Sequence, residues 1–218
     1  MYKFLKMKYA ILLSALFLMA CGQGKKYHDQ EEVANADSDL VADILKYQKR
    51  QNESFKDPDT SPLPDKYRKD FEGLDFFEPD TTFVVKARFE RTPDAKPFFM
   101  PSTTDLQTQE VVYGIAHFTL NETKYQLEVY QSLDLIEEEE FVDYLFLPFL
   151  DNTNGVETYG GGRYIDLSIP EGETLIIDFN KAYNPYCVYN KKYSCPLVPR
   201  QNYLRTNVRA GMKNFIMD

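Results

Sequence analysis

Apolar residues along the chain keep three rhythms in turn. Residues 9–19 form an apolar run of 11 residues. Leu40, Val41, Ile44 and Leu45 then fall on one face at helical spacing, with Ser38 as N-cap. Asp39 and Asp43 lie near the start of this helix, and Lys46, Lys49 and Arg50 near its end, a charge order that suits its dipole. The helix is expected to stop before Pro58, because the preceding residue is biased away from helical geometry. A second helical turn is predicted over residues 65–71, closing at Gly73.

From Thr82 the period drops to two. Phe83, Val85, Ala87 and Phe89 point one way and Lys86, Arg88 and Glu90 the other, as in a half-buried strand. Residues 110–120 are apolar on both faces in places, which predicts a central strand. Asn121-Glu122 reads as a turn, and residues 124–131 return with Tyr125, Leu127 and Val129 on one side, completing a hairpin. Residues 145–149 are buried apolar chain, and strands follow at 163–169 and 174–179, expected to pair as a hairpin. No alternating strand–helix rhythm is present, which argues against a parallel nucleotide-binding sheet. The predicted class is α+β, mainly β: an antiparallel β-sandwich or partly closed barrel with an N-terminal helix packed on it.

The first apolar run is too short to cross a bilayer as a helix, which needs roughly 20 residues. With Lys3, Lys6 and Lys8 before it, it has the form of a signal peptide. It ends in Leu18-Met19-Ala20-Cys21, which resembles a bacterial lipobox and implies a lipid on Cys21 after cleavage. Gly22 follows rather than Asp, so the expected location is the cell envelope, at the outer membrane facing the periplasm. Apolar residues are sparse over 22–37 and keep no period, so 21–37 is expected to be a flexible tether. The boundaries are thus 1–20 signal peptide, 21–37 tether and 38–218 a single globular domain.

Charge narrows the partners. The 25 basic and 34 acidic side chains give −9, the wrong sign for a nucleic-acid backbone binder. The two histidines, His28 and His117, are too few for a multi-histidine zinc site, and no metal or cofactor is expected. The glutamates at 137–140 read as a solvated edge.

Two segments carry unusual sequence. In the first, Glu157, Tyr159, Gly160, Gly161, Gly162 and Arg163 form either a tight connection between strands or a nest of backbone amides that grips an anion beside the guanidinium. It lacks the Gly-Lys-Ser/Thr of a phosphate loop and leads into a strand. In the second, Asp178, Asn180, Tyr183, Asn184 and Tyr186 make a tyrosine- and asparagine-rich loop. The predicted hairpin would bring both to one end of the sheet, with Glu157 near enough to pair with Arg163. Cys187 and Cys195 form an even pair in an exported chain, which predicts a disulfide. Free thiols, half of a metal shell, or a nucleophilic cysteine paired with His117 remain alternatives.

The strings Glu-Thr-Tyr-Gly-Gly-Gly-Arg-Tyr (157–164), Asp-Phe-Asn (178–180), Ala-Tyr-Asn-Pro-Tyr-Cys (182–187) and Cys-Pro (195–196), with Ser61-Pro62-Leu63 and Phe71-Glu72-Gly73-Leu74, resemble the bacterial and archaeal family catalogued as domain of unknown function 1684. The chain departs from it at Met212, where such proteins often carry an acidic residue. The resemblance implies no activity. Two function classes follow from the residues: a membrane-anchored binding module for a small polar ligand, a glycan or a protein, and a hydrolase-like enzyme. In the enzyme, Glu157, Asp166 or Asp178 would serve as acid and base and Arg163 would hold substrate charge.

Overall fold

The computed structural model describes residues 27–215, with side chains from Asp37 onward. The expected signal peptide, Cys21 and the first residues of the expected tether lie outside the described residues. The compact unit Asp37–Asp218 is mostly β, a sheet curled into a half-barrel with one long N-terminal helix. Of the two predicted architectures, the partly closed barrel is the one adopted. Among the described residues no helix is long and apolar enough to cross a membrane.

Helix α1 (Tyr27–Lys56) starts before the predicted N-cap Ser38, and so takes in much of the expected tether; it stops ahead of Pro58 as expected. Its buried face differs from the predicted one. Ile44 and Phe55 are fully buried, whereas Leu40 and Leu45 are exposed. Ile44, Tyr47, Gln51 and Phe55 recur at three- and four-residue steps, the spacing of one helical stripe. Phe55 packs with Leu63 and Tyr189, and the Tyr47 hydroxyl donates to the Lys181 carbonyl at 2.9 Å. A single short turn, α2 (Asp65–Arg68), occupies part of the second predicted helix.

Eight strands follow: β1 (Val84–Arg91), β2 (Phe98–Met100), β3 (Thr108–Leu120), β4 (Thr123–Ser132), β5 (Tyr144–Asp151), β6 (Arg163–Ser168), β7 (Thr174–Asp178) and β8 (Tyr203–Leu204). The main path runs β6-β5-β4-β3-β1-β7, all antiparallel; β2 pairs with β3, and the short β8 lies parallel to β5. β1 buries Val85, Ala87 and Phe89 as its alternation predicts. The β3–β4 hairpin turns at Asn121-Glu122, whose φ angles of 49° and 62° suit a two-residue turn matched to strand twist. β6 and β7 do not form the expected hairpin. They stand at opposite ends of the strand order, and a β-bridge between Tyr164 and Tyr183 joins the start of β6 to the chain just past β7.

The sheet buries apolar side chains on both faces. Leu145, Leu147 and Phe149 of β5 enter the main core with Phe118, Leu127 and Ile177. The intervening Phe146 joins a second cluster with Met100, Tyr130 and Tyr164. A bulge in β3 between Val112 and Gly114 decides which residues reach this second face. One extra residue reverses the alternation, so Ala116 and Phe118 point into the main core while Val112 and Glu110 point to the opposite face.

Candidate functional site

Most of the glycine segment is occupied with building the fold. Gly160 and Gly161 sit inside a turn closed by the Gly162 amide donating to the Tyr159 carbonyl at 3.2 Å. Gly162 has φ of 93°, and a side chain there would start 2.7 Å from the Phe149 carbonyl oxygen. Of the two readings of this segment, the tight connection is the one the chain adopts.

Arg163 is fully buried and has no face toward solvent. Its guanidinium pairs with Asp151 at 2.9 Å, not with Glu157, and donates to the carbonyls of Val208 (2.8 Å), Met212 (3.3 Å) and Ala210. Burial pulls its pKa below the ordinary value, and the Asp151 carboxylate opposes this. Arg163 thus clamps the C-terminal chain against β5 and β6 and is not available to grip substrate charge. Glu157 instead meets Arg209 at 3.0 Å near the surface.

The polar residues after β7 are likewise structural. Asp178 accepts from the Asn180 amide at 3.0 Å. Asn180 in turn brackets Asp80, accepting from its amide at 3.0 Å and donating to its carbonyl at 2.9 Å. Asn184 is buried and donates to the Lys213 carbonyl at 2.8 Å.

The concave site lies elsewhere, on the face behind the main core. Alternate residues of four neighbouring strands form its floor: Thr108 and Glu110, Ser132, Tyr144 and Phe146, Tyr164 and Asp166. Register brings them together, with Glu110 opposite Ser132 and Phe146 opposite Asp166. The loop after β7 supplies one wall through Tyr183, Tyr186, Tyr193, Ser194, Cys195 and Pro196, and Gln51 of α1 reaches the edge. The cavity is open to solvent on one side and measures about 510 Å³, within the usual range for small-molecule sites.

Of the residues singled out from sequence, only Tyr183 and Tyr186, with Asp166 and Cys195, line this cavity. Glu157, Tyr159, Gly160, Gly161, Gly162, Arg163, Asp178, Asn180 and Asn184 do not. Sequence reasoning missed Glu110, Tyr144, Phe146 and Tyr164. A lone acidic residue opening an apolar strand was the one available signal for Glu110.

Three carboxylates line the cavity, Glu110, Asp134 and Asp166. Asp166 is exposed at the mouth, where its Oδ1 accepts from the hydroxyls of Tyr144 at 2.8 Å and Tyr183 at 2.7 Å. Glu110 is buried, 4% exposed, and its Oε2 has no hydrogen-bond partner. Burial pushes the Glu110 carboxyl above the ordinary carboxylate range; hydrogen bonds from Thr108 and Ser132 oppose this, and Asp134 adds to it. Burial also drives the Tyr144, Tyr164 and Tyr183 phenols well above their ordinary value, with Asp166 adding to the rise at Tyr144 and Tyr183. These phenols are donors and aromatic surface, not bases. Among the described residues, no lysine, arginine or histidine lines the cavity.

Cys187 and Cys195 are unbridged in this structure, and the expected disulfide is not shown. Cys195 is held by the fold through its own backbone, its amide donating to Thr103 Oγ1 at 3.1 Å and its carbonyl accepting from Thr103 at 2.9 Å. Its Sγ accepts from the Cys187 amide at 3.1 Å, and burial pushes its thiol up to about 12. His117 lies on β3 against Glu90 at 3.2 Å, and it does not line the cavity that holds Cys195.

A family described as protein of unknown function (DUF1684) matches residues 69–213. The chain belongs to that family. All eight strands among the described residues of this DUF1684 protein fall within the matched span. Among solved structures, it is similar to the solution NMR structure of an uncharacterized protein of Haloarcula marismortui. The two share 29% identity with a TM-score of 0.62, over 84% of this chain and 97% of that one. A search of curated proteins gave no match.

Proposed function

We propose that this protein is a ligand-binding module of the cell envelope, held at a membrane by a lipid on Cys21, with the tyrosine-lined cavity as its site for a small polar ligand. The observation that carries the binding reading is the combination of an open cavity of about 510 Å³ with a buried carboxylate oxygen that has no partner. Buried polar atoms without partners are rare in folded proteins, and one that lines a cavity is supplied by what enters it. The rings of Tyr144, Phe146, Tyr164 and Tyr183 offer apolar surface, and the phenols and Asp166 fix orientation.

Glu110 also supports the hydrolase-like alternative, since a buried carboxyl held above its ordinary range, in a cavity that Asp166 also lines, is a candidate general acid. In that reading the pair is Glu110 and Asp166, not Glu157 and Arg163.

A thermal-shift screen of the full chain tests the binding reading, using a panel of sugars, amines, amino acids and organic acids. Ligand at a hundredfold excess over Kd adds about 2.7 kcal/mol, which raises Tm by roughly 5–11 °C for a domain of this size. The shift is expected to vanish in Tyr186→Ala, a change at a half-exposed wall position. A panel that leaves Tm unmoved, or a shift unaltered by Tyr186→Ala, refutes the reading. Turnover of a panel member that stops in both Glu110→Gln and Asp166→Asn would favour the enzyme.

A further inference from the structure

We infer that the cavity takes an organic ammonium ion, whose N–H groups donate to Glu110 Oε2 and whose apolar body lies on the rings of Tyr144, Phe146, Tyr164 and Tyr183. The inference rests on the binding reading above and names the ligand class.

Three observations carry it. The first is valence. Glu110 Oε2 is an acceptor without a donor, in a side chain that is almost wholly buried and lines the cavity. Only a ligand with a hydrogen to donate completes it, which excludes purely apolar guests and others without a donor. The second is charge. Glu110, Asp134 and Asp166 are the only ionisable acids and bases lining the cavity apart from its tyrosines and Cys195. An anionic ligand would meet like charge with no cation to offset it, whereas a cation is drawn in past Asp166 and Asp134 at the exposed rim. The third is the wall. Tyr164 stands edge-to-face with both Phe146 and Tyr183, at ring distances of 4.8 and 5.8 Å. Aromatic faces attract cations as well as alkyl surface. A hydrogen bond from an ammonium to a carboxylate is charge-assisted and about twice as strong as a neutral one.

Phenethylamine, 2-phenylethanol and phenylacetate share one aromatic body and differ in the charge of the head group, so titration calorimetry on the full chain near neutral pH separates the classes. The amine, protonated at this pH, is expected to bind about tenfold or more tighter than the alcohol, with no measurable heat from phenylacetate. Glu110→Gln keeps the shape and removes the charge, and should abolish the preference for the amine over the alcohol. Asp166→Asn provides a second test at an exposed position, away from the interior. It should weaken the amine severalfold and the alcohol by less, because only the amine loses a charge–charge attraction.

Equal affinity for amine and alcohol, tighter binding of phenylacetate, or a preference that survives both substitutions overturns the ammonium assignment. If none of the three binds while a sugar from the thermal-shift panel does, the ammonium class is wrong and the binding reading stands. If nothing in either set binds, both fall.

Discussion

Arg163 has the chemistry of an anion-binding residue and the contacts of a clamp. Its partners are Asp151 and three carbonyls of the C-terminal chain, all inside the protein. Arg163→Ala would leave the Asp151 carboxylate buried without its cation, and stability is expected to fall by about 3–5 kcal/mol. Glu157→Gln breaks a pair with Arg209 whose arginine is well exposed, and is expected to cost about 0–1 kcal/mol. Urea denaturation followed by circular dichroism measures both; equal losses, or a larger loss at Glu157, would contradict this division of roles. Glu110 gives a prediction of a different kind, in pH. Its folded-state pKa is raised above the ordinary value of 4.5, so the unfolded chain releases this proton first as pH rises. Where the unfolded state holds fewer protons than the folded state, stability falls with increasing pH. The wild type should therefore hold its full Glu110 contribution below about pH 4.5 and lose it as pH climbs toward the raised folded value. Glu110→Gln lacks this term, and subtracting its stability from that of the wild type at each pH cancels the other carboxylates. A difference that shrinks with falling pH would mean that Glu110 is stabilised as a carboxylate in the empty cavity.

The elements that could be read from sequence are those whose pattern is local. β1 alternates cleanly because one face meets the core and the other meets water, and its register follows. The β3–β4 hairpin is legible because a two-residue turn joins strands that are neighbours both in the chain and in space. Where the local pattern fails, a long-range fact has intervened. β6 and β7 are adjacent in sequence, which favours a hairpin, yet β5 takes one edge of β6, and β7 crosses to pair with β1. The curl of the sheet then restores by the Tyr164–Tyr183 bridge part of what a hairpin would have given. The loop after β7 therefore does reach the start of β6, but the residues that face the resulting cavity differ from those predicted. The β3 bulge has the same effect on the site: a strand read with constant period would put Glu110 on the same face as Ala116 and Phe118. In α1, Leu40 and Leu45 satisfy helical spacing as well as Ile44 and Phe55 do, and only the tertiary partners Leu63, Tyr189 and Lys181 choose between the stripes. Glycines and buried polar residues drew attention because their composition is unusual. Here that composition serves turns and clamps, while the cavity is lined by tyrosines that look ordinary in a strand.

At the scale of the whole molecule, the family match begins at residue 69 and covers the sheet and every residue lining the cavity except Gln51. The membrane anchor proposed above would be encoded ahead of that span, where Lys3, Lys6 and Lys8 precede the apolar run and Leu18-Met19-Ala20-Cys21 ends it. An ordinary signal peptide and a lipoprotein signal share the charged start and the apolar run. They differ at the junction, where a lipoprotein needs a cysteine thiol to carry the lipid. A single acyl chain gives only marginal membrane affinity, so stable anchoring requires more than one on the same cysteine. The acidic net charge of −9 makes electrostatic adsorption to an anionic surface an unsuitable substitute. Cys21→Ala removes the acceptor while leaving the domain from Asp37 onward unchanged. The expected outcome is that the wild type takes up labelled fatty acid and sediments with membranes, while the variant takes up none and appears in the soluble fraction. The variant should respond to pocket ligands as the wild type does, because the described residues that line the cavity run from Gln51 to Pro196, far along the chain from Cys21. A wild type without label, together with a variant that still sediments with membranes, would transfer the anchoring role from Cys21 to another part of the chain.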